Sequence, residues 1–104
     1  MARMPRLVVP DYPHHVTQRG NRRMKTFFCD DDYRAYLNLL AEGKTHAGVS
    51  VWAYCLMPNH YHLLMQTPRA NLSAGAGWLQ TTYSVRFNRR HRRSGHLFQG
   101  RFKA

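Results

Sequence analysis

The spacing of apolar residues switches along the chain between a two-residue and a three-to-four-residue period, and each switch marks a change of element. His14–Arg19 (HHVTQR) alternates like a strand, with His15, Thr17 and Arg19 on one face and Val16 on the other. Gly20-Asn21 ends it, and Arg22, Arg23 and Lys25 follow in a basic loop. Asp30-Asp31-Asp32 reads as a helix start, an N-cap acid followed by acids that suit the helix dipole. Tyr33, Tyr36, Leu37 and Leu40 then share one stripe, which predicts a helix over Asp31–Ala47 with Gly48 as its stop. Val49–Leu56 is β-branched and aromatic, a strand. Met57–Asn59, with Pro58 and Asn59, is a tight turn, and His60–Gln66 is the next strand.

Thr67-Pro68-Arg69 turns the chain again, and Asn71 or Ser73 caps a second helix. Leu72, Ala76, Leu79, Tyr83 and Phe87 give it one buried stripe, although Gly75 and Gly77 weaken its first turns. Ser94-Gly95 ends the basic run that follows, and His96–Lys103 reads as a last strand. The order strand, helix, strand, strand, helix, strand is that of an α+β, ferredoxin-like split βαβ fold. It has a four-stranded antiparallel sheet and two helices on one face. The first and third strands are expected side by side in the centre. At 104 residues the chain is expected to be a single domain.

Charge narrows the function. Sixteen Lys and Arg stand against five Asp and Glu, a net charge of +11. No acidic side chain follows Glu42, and such a half is built to meet a polyanion. Arg19, Arg22, Arg23, Arg86, Arg89, Arg90, Arg92, Arg93, Arg101 and Lys103 are the candidate nucleic-acid contacts. An anionic membrane is the competitor, but the cations do not lie along an amphipathic helix. No apolar run is of membrane-spanning length and no signal peptide opens the chain, so the expected location is cytoplasmic. Cys29 and Cys55 lack any metal or redox spacing and read as small apolar fillers.

The strand His60–Gln66 carries the candidate chemistry. His60 and His62 share a face and Tyr61 points the other way, with the two histidine Cα atoms roughly 6.5–7 Å apart. Two imidazoles at that spacing can converge on one metal ion at about 2.0–2.1 Å per bond. Two histidines on a half-exposed strand face are the plain alternative.

These stretches together resemble the REP-associated tyrosine transposases, within the single-tyrosine HUH transposases. The resemblance lies in HHVTQRGNRR (14–23), DDYRAYL (31–37), WAYCLMPNHYHLLMQTP (52–68), NLS (71–73) and FNRRHRRSGHLFQGRFK (87–103). It implies that His60 and His62 are the motif histidines and bind Mg²⁺ or Mn²⁺. It further implies a single-stranded, hairpin-forming DNA substrate. A tyrosine of the family attacks one phosphodiester and leaves a 5′-phosphotyrosine link in DNA transposition. In the family that tyrosine lies on a helix after the GHLFQGRFK-type strand, and an amide one turn beyond completes the metal site. The sequence ends at Ala104, before any such helix, so no residue here is assigned as catalytic and Tyr83 is read as core. The resemblance leaves room for a homodimer.

Two other readings stay open. One is a non-catalytic nucleic-acid-binding remnant of a transposase, with the basic surface as the whole function. The other is a zinc hydrolase in which His15, on the neighbouring first strand, is a third ligand.

Overall fold

The computed structural model describes residues 12–67, 72–100 and 102. Strands β1 (His14–Arg19), β2 (Ser50–Met57) and β3 (His60–Gln66) form one antiparallel sheet in the order β1-β3-β2. Helices α1 (Asp30–Ala47) and α2 (Leu72–Arg90) complete an α+β fold. Each strand is within one residue of its expected bounds.

β3 alternates as its pattern requires. Tyr61, Leu63 and Met65 are buried beneath the helices, while His60, His62, Leu64 and Gln66 are half-exposed on the other face. The whole expected stripe of α2, Leu72, Ala76, Leu79, Tyr83 and Phe87, is buried. From α1 the core takes Tyr36, Leu39 and Leu40, with Tyr33 and Leu37 packed at its margin. Gly75 has a reason to interrupt α2's propensity: a Cβ there would stand 2.6 Å from Val49 Cγ2. The helix gives up about 1 kcal/mol of propensity and gains close seating beside β2.

The start of α1 differs in detail from the expectation. Cys29, not an aspartate, is the N-cap, and its side chain makes no capping bond. Asp32 reaches back instead and accepts a hydrogen bond from the Phe28 N–H at 2.8 Å.

The expected fourth strand, His96–Lys103, does not form among the described residues. A single bridge, Gly20 to Phe98, lies beside the outer side of β1. It is held by Asn21 N–H to Leu97 O at 2.7 Å and Gln99 N–H to Arg19 O at 2.8 Å. Positive φ at Gly95 (91°) and Gly100 (57°) turns the backbone out of extension on both sides. Leu97 and Phe98 are also both buried, so consecutive side chains enter the core and the two-residue alternation is broken. β3 is therefore the middle strand, and among the described residues β1 has only this bridge beyond it. Arg101 and Lys103 lie outside the described residues, as does the candidate cap Asn71.

Candidate metal and nucleic-acid site on the open sheet face

Helices cover one face of the sheet and leave the face that carries the histidines open. The two-residue turn at Pro58-Asn59 sets Met57 opposite His60, and Cys55 therefore opposite His62. On the other side Arg19 pairs with His60 and Thr17 with His62. His15 is one pair further along, opposite Leu64, and so lies diagonal to His62.

Three imidazoles meet there. The His60 and His62 ring centroids are 5.3 Å apart at an interplanar angle of 83°. His60 Nδ1 lies 2.8 Å from Asn59 Oδ1. That oxygen only accepts, so His60 carries its proton on Nδ1 and leaves Nε2 as a lone-pair donor. His62 Nδ1 lies 3.0 Å from His15 Nε2. Burial, and then the proximity of His15 and His60, hold the His62 pKa below the usual histidine value, which favours the neutral imidazole a metal needs.

Among the described residues no group of three His, Cys, Asp or Glu side chains is gathered to hold a metal ion. His15 is brought to the pair, but against the Nδ1 side of His62, where it does not act as a third ligand. The zinc-hydrolase reading loses its third ligand on this geometry. The donor set is two imidazoles on an open face. That suits a cation that fills its other positions with phosphate oxygen and water.

The basic residues fall into three groups. Arg19 shares the open face with His60, and Arg22 and Arg23 sit in the adjoining 3₁₀ turn Asn21–Arg23, all exposed. This turn is tied to the β2–β3 turn by Gly20 N–H to Asn59 O at 2.9 Å and by Asn59 Nδ2–H to Arg23 O at 3.4 Å. Arg22 and Arg23 hold positive φ, 54° and 59°, a conformation unusual for a long side chain. A second group, Arg89, Arg92 and Arg93, is exposed around the end of α2, with Arg93 over the Phe28 ring at 5.5 Å. The third group is engaged within the molecule. Arg86 pairs with Glu42 at 2.7 Å, and Arg90 with the fully buried Asp32. Charge pattern alone could not separate these two from their neighbours, because their partners lie on α1, far away in sequence.

Tyr36, Tyr61 and Tyr83 are core residues. Burial pushes the Tyr61 hydroxyl up to about 12 and raises that of Tyr36 well above its ordinary value. Burial, and then the Asp32 charge, raise that of Tyr83. Tyr83 donates to Thr26 O at 2.6 Å. Tyr83→Phe is expected to cost about 1–2 kcal/mol of stability in denaturant unfolding, the loss of one buried hydrogen bond.

A family model described as "Transposase IS200 like" matches residues 8–104. The chain belongs to the IS200-like transposase family. Two solved structures share the fold of this IS200-like chain. One is a REP-associated tyrosine transposase bound to a REP hairpin, with TM-score 0.74 and 17% identity over 99% of this chain. The other is a putative transposase from Deinococcus radiodurans, with TM-score 0.73 and 18% identity over 98% of this chain. The IS200-like chain spans 60% of the length of the first and 83% of the second. No curated protein matches it. No helix among the described residues is long and apolar enough to cross a membrane.

Proposed function

We propose that this chain binds hairpin-forming single-stranded DNA on the open face of its sheet. His60 and His62 hold a divalent cation, Mg²⁺ or Mn²⁺, at the phosphodiester to be cut and transferred in transposition. The observation that carries this reading is the pair itself: two imidazoles on a helix-free face, flanked by Arg19, Arg22 and Arg23. When bound, the cation supplies Lewis-acid polarisation of a phosphoryl oxygen. The protein's own residues do the positioning. The arginines bind backbone phosphates as planar forks, and the neutral imidazoles leave the charge of the cation intact. The second group, Arg89, Arg92 and Arg93, extends the phosphate track to the end of α2. The whole chain acts as one HUH-type domain. A second reading is binding without cleavage: Tyr36, Tyr61 and Tyr83 lie in the core, which keeps these hydroxyls from any phosphate, while Tyr12 and Tyr54 are exposed.

Titration with Mn²⁺ tests the site. Paramagnetic broadening should remove the His60 and His62 NMR signals well before those of His91 and His96. His60→Ala should abolish the effect at His62 while keeping most of the DNA affinity, since phosphate contacts are made by other side chains. Equal broadening of all four histidines would show that the site is absent.

A further inference from the structure

We infer that His15 and Asn59 are positioning residues for the histidine pair: each takes the Nδ1 proton of one imidazole and so aims its Nε2 at the metal. The inference rests on the reading of His60 and His62 as metal ligands and goes one layer outward. The geometry is reciprocal. Asn59 Oδ1 is 2.8 Å from His60 Nδ1. His15 Nε2 is 3.0 Å from His62 Nδ1, with the two ring planes parallel to within 5° and their centroids 5.1 Å apart. Both histidines thus have their Nδ1 engaged, which leaves Nε2 to bind.

At His60 the direction of the bond is fixed, because a carbonyl oxygen cannot donate. At His62 the proposed metal role sets it. If His15 donated its Nε2 proton to His62 Nδ1, the neutral His62 ring would carry its own proton on Nε2 and could not bind a metal there. His62 Nδ1–H therefore donates to His15 Nε2, and His15 is the Nδ1–H tautomer. Metal-bound histidines ordinarily give their second N–H to an oxygen acceptor or water. Here an imidazole from the neighbouring strand takes that place. The strands supply the spacing: a diagonal neighbour across an antiparallel pair lies about 7–8 Å away at Cα, within reach of two imidazoles.

The test uses the metal-free chain first. Long-range ¹H–¹⁵N spectra at pH 8 should show His60 and His62 both protonated on Nδ1. Mn²⁺ affinity is then measured for the wild type, His15→Phe and His15→Gln. His15 is exposed, so neither variant threatens the fold. His15→Phe should bind Mn²⁺ about 10–100-fold more weakly. His15→Gln should recover much of the loss, because its Oε1 can accept the same proton. A proton on His62 Nε2, or a His15→Phe variant that binds Mn²⁺ as the wild type does, would overturn the inference. If the wild type itself fails to bind Mn²⁺ at the pair, the metal reading falls, and the tautomer spectrum alone decides whether His15 orients His62.

Discussion

Affinity for a hairpin-forming single strand should fall about 10³–10⁵-fold between 50 and 200 mM salt, the response expected of roughly six to ten phosphate contacts. The described cations suffice for the lower end of that range. Arg19, Arg22, Arg23, Lys25, Arg89, Arg92 and Arg93 are all exposed. Arg86 and Arg90 are held by Glu42 and Asp32 and should contribute less. Replacing Arg22 and Arg23 together with Ala should flatten the slope by about two contacts, whereas Arg86→Ala should leave it nearly unchanged. Fluorescence anisotropy across the salt range measures both. A flat response in the wild type would remove nucleic acid as the partner.

The largest expected effect on stability is at Asp32. This carboxylate is fully buried and accepts from the Phe28 N–H, from Arg90 and from His91, whose Nε2 lies 2.8 Å away. It joins the start of α1 to the end of α2. Asp32→Ala leaves Arg90 and His91 without their shared anion, and breaking a buried pair in this way costs about 3–5 kcal/mol. The side chain of Arg90 is 34% exposed and can turn to water, so the lower end is expected. Asp31, in a surface pair with Arg34, is the control, and its loss should cost about 0–1 kcal/mol. The pH dependence has a definite sign. Burial raises the Asp32 pKa, but the Phe28, His91 and Arg90 bonds outweigh it and bring it below the ordinary value. A lowered folded-state pKa gives stability that is complete above the unfolded carboxylate value of about 3.9 and is lost as pH falls through the folded value. The difference between wild type and Asp32→Ala should therefore be largest near neutral pH and shrink in acid. Urea midpoints at several pH values check this.

Much of the frame was legible because local periods and burial agree. α2 buries the residues its three-and-four spacing selects, and β3 hides and exposes alternate side chains as a two-residue period demands. The open face, and the presence of His60 and His62 on it, follow from that alternation alone. The failures come from long-range terms. HLFQGRFK has strand composition, but buries Leu97 and Phe98 in succession and bends at Gly95 and Gly100, so packing overrides propensity. β2 shows no clean alternation because it is an edge strand with a register shift between Val51 and Ala53, and Trp52 reaches across to Gln66 at 2.9 Å. The ion pairs of Arg86 and Arg90 depend on how two helices dock, which no spacing within α2 encodes. The Nδ1 partners of the histidines divide in the same way. Asn59 was available as the residue next to His60, where Pro58-Asn59 reads only as turn chemistry. His15 needed the register of β1 against β3.

The proposed joint location of metal and DNA is most directly tested by using Fe²⁺ as the cation. With ascorbate and peroxide, a bound Fe²⁺ cuts whatever DNA lies beside it. On an end-labelled hairpin with a single-stranded flank, the expected result is one cluster of cuts a few nucleotides wide, lost in His60→Ala although the strand still binds. Cuts spread evenly along the strand, or a cluster that survives His60→Ala, would contradict the placing of the scissile phosphate at His60 and His62.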